Sequence, residues 1–182
     1  MLEYKYAGTF QKVLLLSDLW GHLDALWADS FKNILDPSYL IEFIDMVKLG
    51  NIDTSIPDET LLHKQFLKTG ISRASRALLN MVNLTDIVIG CSIGGVIAWK
   101  AALQGLSLKK MICISSTRLR YEKHSPDVST KLIFGKDDPY KPDDNWFDSL
   151  SVDYKTVAGG HEIYKNNQII KEYIVPIVLS AK

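Results

Sequence analysis

"VIGCSIGGVIAWKAA" (residues 88–102) decides how this 182-residue chain folds. Its first residues form a solid apolar run, the pattern of a strand buried on both faces. Its last residues are apolar on nearly every side, the pattern of a buried helix. Between them Gly90, Gly94 and Gly95 surround one serine, Ser92. The stretch therefore reads as strand, sharp turn, helix, with a hydroxyl at the apex of the turn.

The same alternation extends outward in both directions. Strands are expected at 12–21, 39–47, 85–92, 109–117, 130–138 and 152–160. Helices are expected at 22–34, with Leu23, Leu26, Trp27 and Phe31 near helical spacing, and at 58–82, with Leu61, Leu62, Phe66, Leu67, Ile71, Ala74 and Leu78. Gly70 weakens the middle of the second by roughly 1 kcal/mol relative to alanine. Further helices are expected at 93–104, at 142–150 and after 160, with Pro176 kinking or ending the last. The charged stretch "RLRYEKHSPDVS" (118–129) replaces a helix and reads as a solvated connection that also has the position to rim a pocket. Solidly apolar strands alternating with helices predict an α/β fold: a mostly parallel six-stranded sheet with helices on both faces.

Bulk composition agrees. Hydrophobic residues make up 47% and charged residues 23%, the balance of an ordinary globular protein. Lys+Arg and Asp+Glu both number 21, so the formal net charge is zero. That gives no footing for a nucleic-acid backbone or an anionic membrane. The length favours a single domain over 1–182 with one core. No apolar run approaches the ~20 residues that span a bilayer, and "MLEYKYAGTFQK" (1–12) lacks the apolar stretch of a secretory signal. Cys91 and Cys113 lie in apolar strand-like runs and read as reduced core residues. A cytoplasmic protein is expected.

In an open α/β sheet, ligands bind beyond the carboxyl ends of the strands. The third strand ends at Gly90-Cys91-Ser92-Ile93-Gly94, the fifth at Gly135-Lys136-Asp137-Asp138-Pro139, and the sixth at Gly159-Gly160-His161. A serine, a carboxylate and an imidazole thus project towards one edge. A bare G-x-S-x-G arises by chance in roughly one chain of this length in twenty. Here it follows a strand and opens a helix, and the order Ser, Asp, His is the one that motif requires. A serine on so sharp a turn needs neighbours without a Cβ on either side. The turn also puts the Ile93 N–H at a helix N-terminus, where the dipole favours negative charge.

On Gly90-Cys91-Ser92-Ile93-Gly94-Gly95, Phe134-Gly135-Lys136-Asp137-Asp138-Pro139 and Gly160-His161, the chain resembles the α/β-hydrolase superfamily over about residues 12–165. The resemblance implies that Ser92 is a nucleophile, His161 its general base and Asp138 the acid that orients the histidine. The Gly-x-x-Asp-Pro pattern of the family selects Asp138 over Asp137, which is left as a solvated turn residue. Ile93 N–H would bind the oxyanion. In place of the family's His-Gly-x-Gly stands Asp18-Leu19-Trp20-Gly21. That alignment makes Trp20 N–H the second oxyanion donor, and a one-residue slip hands the role to Leu19. His22 is expected at the pocket mouth. Little room remains for a cap domain, so the fold is a minimal one with an open, shallow site. The antiparallel strands that usually precede the first parallel strand are reduced to "LEYKYAG" (2–8) or absent.

The implied activity is that of a serine hydrolase acting on a small-molecule carboxylic ester or thioester through an acyl-enzyme, with no metal or organic cofactor. The competing reading is a non-catalytic module of the same fold that binds a small acyl ligand or a protein partner. Asp18, His22 and Asp24 match no zinc spacing and are expected to be solvated or capping residues. His63 and His124 are expected at the surface, and Trp27 and Trp99 in the core. "GCSIGG" lacks both the Lys-Ser/Thr pair of a P-loop and a G-x-G-x-x-G fingerprint.

Overall fold

The computed structural model describes residues 11–180 apart from 36 and 85. The expected strand remnant at 2–8 therefore lies outside the described residues, as do Asp36 and Thr85, which begin or flank expected elements. Six strands, β1 (Gln11–Leu16), β2 (Tyr39–Ile44), β3 (Ile87–Cys91), β4 (Lys110–Ile114), β5 (Thr130–Gly135) and β6 (Asp153–Val157), form one sheet in the order β2-β1-β3-β4-β5-β6. Every pairing is parallel, where a mostly parallel sheet was expected.

Alternation along the strands builds two cores. Leu14, Leu16, Val88, Met111 and Cys113 face one side. Val13, Leu15, Ile89, Cys91, Ile112 and Ile114 face the other. The first side is covered by α2 (Met46–Leu49), α3 (Glu59–Gln65), α4 (Ile71–Leu78), α5 (Ile93–Leu103) and α6 (Asp144–Leu150). The second is covered by α1 (Trp27–Ile34), α7 (Asn167–Ile169) and α8 (Val175–Leu179). Helix α5 is buried nearly all round, as its unbroken apolar sequence requires. Trp27 and Trp99 are core residues as expected.

Several expected boundaries need correction. Each strand stops short of its expected end, at residues 16, 44, 91, 114, 135 and 157. The residues just beyond β1, Ser17 to Leu19, are buried, and Ser17 N–H still donates to Ile44 O at 3.0 Å, so burial does not mark the strand end. Strand β2 ends early because Asp45 caps α2, accepting hydrogen bonds from the Val47 and Lys48 N–H groups. The expected helix 22–34 splits into a 3₁₀ turn (Gly21–Asp24) and α1, leaving Leu23 and Leu26 exposed. The long helix at 58–82 runs instead from 59 to 78, through a π turn (Phe66–Gly70) that joins α3 to α4. Gly70 has a packing role there, since a Cβ would sit 2.5 Å from Ile52 Cδ1. Leu61 in α3 and Leu67 in the π turn are exposed, where both were expected on the apolar face. A second π turn (Ile170–Ile174) precedes α8, with Pro176 in that helix's first turn.

The 118–129 connection is more anchored than a solvated loop. It begins with a 3₁₀ turn (Thr117–Tyr121) that buries Leu119. Glu122 O accepts a hydrogen bond from Trp146 Nε1 at 2.9 Å, and His124 O accepts one from Trp99 Nε1 at 3.2 Å.

Candidate active site

Strand β3 ends at a strained corner. Ser92 has φ 49° and ψ −115°, a conformation costing on the order of 1–3 kcal/mol for a residue with a Cβ. Its N–H donates to Ile114 O at 2.8 Å, so the β3–β4 ladder holds the corner in place. Close packing explains two of the glycines. A Cβ on Gly90 would lie 2.4 Å from Gly95 Cα, and one on Gly95 would lie 2.0 Å from Ser116 Oγ. Helix α5 can start this close to the sheet only because both side chains are hydrogen.

The turn after β5 carries the carboxylate, and the turn after β6 carries the imidazole. Lys136 N–H donates to Val157 O at 2.8 Å, and Asp137 N–H to Gly159 O at 3.0 Å, which ties the two turns together. Ser92 Oγ lies 3.0 Å from His161 Nε2. His161 Nδ1 lies 2.7 Å from Asp138 Oδ2. The other Asp138 oxygen accepts from Tyr140 N–H at 3.0 Å. Asp138 is 1% exposed, whereas Asp137 lies in solvent. The three side chains singled out in sequence thus form one hydrogen-bonded chain. An imidazole held this way can take the hydroxyl proton at Nε2 while Nδ1–H donates to the buried carboxylate.

The chain opens into a cavity of about 590 Å³, within the range of ligand pockets. Ser92, Ile93, Val96, Leu19, Trp20 and His161 line its inner part. Glu59 and His63 from α3, with Arg118 and Arg120 from the 3₁₀ turn after β4, form its rim. Residues of α3 and of the 3₁₀ turn after β4 thus join the strand-end turns in lining the site. His63 is exposed as expected, yet it lines this rim.

The loop after β1 departs from expectation at three positions. Trp20 N–H donates to Asp18 Oδ1 at 3.0 Å, so this group is already bonded to a carboxylate. Among the described residues, Leu19 N–H and Ile93 N–H have no hydrogen-bond acceptor. His22 does not line the cavity, because its Nδ1 is 2.7 Å from Asp45 Oδ2 on the other side of the loop. Asp18 is no solvated residue: it is 1% exposed and its Oδ2 accepts from Tyr164 Oη at 3.0 Å. Burial raises the Asp18 pKa above the ordinary carboxylate value, against the opposing effect of the Tyr164 and Trp20 hydrogen bonds. Burial likewise raises the pKa of Tyr164. Asp24 pairs with Lys165 at 2.8 Å.

Cys91 and Cys113 are free, fully buried, and have thiol pKa values pushed up by burial. Among the described residues no group of His, Cys, Asp and Glu is placed to hold a metal ion, and no helix is long and apolar enough to cross a membrane. The 118–129 stretch, expected to be placed where it could rim a pocket, contributes Arg118 and Arg120 to the lining, whereas Tyr164 was not anticipated. Tyr164 had one available signal, its position one helical turn beyond His161.

No protein-family model matches the sequence, and no curated protein matches it significantly. Solved structures do resemble it. A Xanthomonas campestris pv. campestris protein assigned to the α/β-hydrolase superfamily superposes with a TM-score of 0.66 at 17% identity, covering 93% of this chain and 97% of its own. The type II thioesterase BorB from the borrelidin biosynthetic cluster gives 0.61 at 13% identity, covering 98% and 94%. The esterase domain of a Rhodothermus marinus protein gives 0.58 at 12% identity, covering 96% and 88%. With its parallel sheet and its strand-to-helix corner at Ser92, the chain has the α/β-hydrolase fold.

Proposed function

We propose that this protein is a cytoplasmic serine hydrolase that cleaves a small carboxylic ester or thioester through an acyl-enzyme. The observation that carries the reading is the continuous hydrogen-bonded chain Ser92–His161–Asp138, with links of 3.0 and 2.7 Å, facing a cavity. Esterase and thioesterase neighbours of the same fold support the choice of bond. Two free buried thiols suit a reducing compartment.

Ser92 Oγ attacks the acyl carbonyl carbon while its proton passes to His161 Nε2. Asp138 holds the imidazole in the tautomer that leaves Nε2 unprotonated, then stabilises the imidazolium. The carbonyl oxygen becomes an oxyanion and is met by Ile93 N–H at the start of α5. Leu19 N–H takes the second position in place of Trp20 N–H, which Asp18 holds. The alcohol or thiol leaves with the proton from Nε2. Water, deprotonated by the same nitrogen, then releases the acid and restores Ser92.

One observation favours the competing reading, a non-catalytic module for an acyl ligand or protein partner: the engaged Trp20 N–H. The unpaired Leu19 N–H answers it. Turnover of 4-nitrophenyl acetate and of a short acyl thioester separates the two. The hydrolase reading expects steady turnover that Ser92→Ala abolishes while circular dichroism stays unchanged. A folded wild type that turns over neither class favours the binding module.

A further inference from the structure

The cavity rim carries positive charge that no carboxylate neutralises. Arg120 is held by neutral groups alone: Nη1 donates to Thr117 O at 2.9 Å and to Tyr140 O at 3.2 Å, and Nη2 donates to Tyr121 Oη at 2.9 Å. Its guanidinium lies 4.4 Å from the Tyr121 ring centroid, and that of Arg118 lies 5.0 Å from the same ring. Two cations therefore share one aromatic ring. Among the described residues neither arginine has an ion-pair partner, and the Arg118 side chain makes no hydrogen bond.

The carboxylates nearby are otherwise engaged. Asp138 is bonded to His161, Asp18 to Tyr164 and Trp20, Glu162 to Lys165, and Glu122 to Lys100. Glu59 lines the wall and acts on His63 without pairing with either arginine. The imidazole of His63 registers the resulting field: burial, and next to it the charge of Arg118, lower its pKa despite Glu59. A planar guanidinium lining a pocket with its donors unfilled, as that of Arg118 does, is suited to bidentate recognition of an oxyacid group.

We propose that this rim is an anion subsite, so that the substrate is an ester or thioester carrying a carboxylate or phosphate. The anionic group lies on Arg118, beside the rigidly held Arg120, while the acyl carbonyl lies at Ser92. The inference rests on the hydrolase reading for the second half of that statement only. It explains why a chain of zero net charge leaves two arginines unpaired around one cleft. It also names the substrate feature that the fold leaves open.

Two measurements test it. The first compares kcat/KM for mono-4-nitrophenyl glutarate with that for neutral 4-nitrophenyl pentanoate, which has an acyl chain of equal length. A charge-assisted bidentate contact predicts a ratio of about ten or more in the wild type, falling to about one in Arg118→Gln and partly retained in Arg118→Lys. The second measures binding of glutarate, butyrate and inorganic phosphate to the Ser92→Ala protein by calorimetry, which needs no turnover. Glutarate or phosphate should bind, butyrate should bind more weakly than glutarate, and adding Arg118→Gln should weaken the anion about tenfold. Whichever anion binds more tightly identifies the oxyacid. Arg118-dependent binding without ester cleavage leaves the subsite standing and removes the hydrolase reading. Equal turnover of the two esters, or binding of anions that is insensitive to Arg118, overturns the subsite.

Discussion

Replacing Tyr164 with phenylalanine tests the buried pair behind the β1 loop. Its hydroxyl reaches Asp18 Oδ2 at 3.0 Å, and the two side chains are 2% and 1% exposed. Tyr164→Phe keeps the ring, so little packing is lost, but it strips one donor from a carboxylate that water cannot reach. A hydrogen bond to a charged group contributes about 1.5–3 kcal/mol. At about 2–4 °C per kcal/mol for a chain of this size, Tm at neutral pH should fall by roughly 3–12 °C. The pH dependence has a definite sign. Asp18 already has a raised pKa in the folded state, principally through burial, so its ionisation costs stability. That cost appears as pH rises through the raised value and vanishes as pH falls towards the ordinary value of 3.8. Losing the Tyr164 donor raises the pKa further. The deficit of the variant should therefore be largest at neutral pH and shrink towards pH of about 4. Differential scanning calorimetry of both proteins across that range is the assay. A neutral-pH shift below about 1 °C, or a deficit that grows on acidification, would refute the reasoning.

Three further expectations concern the corner and its surroundings. Asp138→Asn should lower esterase kcat by orders of magnitude, ~10⁴ in the serine-protease precedent, with Asp137→Asn near wild type; steady-state kinetics showing the reverse would reassign the acid. Gly95→Ala puts a Cβ 2.0 Å from Ser116 Oγ and 3.0 Å from Cys113 Cβ, and should cost about 1–3 kcal/mol or more in urea unfolding through overpacking. An unchanged midpoint would mean that α5 is free to move off the sheet. Native protein at pH 8 should leave Cys91 and Cys113 unreacted with a thiol reagent, because burial raises both thiol pKa values; both should react in denaturant, and rapid native labelling would contradict their burial.

The parts of the site legible in the sequence were those fixed by short-range rules. The Gly90–Gly95 spacing marks a corner because no Cβ fits there. Asp138 is legible because it follows the apolar run of β5, and His161 because it follows the Gly159-Gly160 pair that ends β6. The β1 loop was not legible in the same way. Whether Trp20 N–H is free depends on Asp18 turning back two residues, and Asp18 is held by Tyr164, 146 positions away. His22 was misplaced for a similar reason, since Asp45, 23 positions on, draws it across the loop. The π turn at Phe66–Gly70 is invisible to a 3.6-residue period, and Leu67 within it is exposed. Strand ends ran short where burial continued past the last ladder bond, as at Asp18 and Leu19.

The central claim is that the Ser92 hydroxyl is an activated nucleophile. Incubation with a fluorophosphonate probe, followed by digestion and mass mapping, examines that hydroxyl directly. The account predicts a single covalent adduct at Ser92 that is absent in Ser92→Ala and strongly slowed in His161→Ala. A folded wild type that remains unlabelled, or an adduct at another residue, would contradict it.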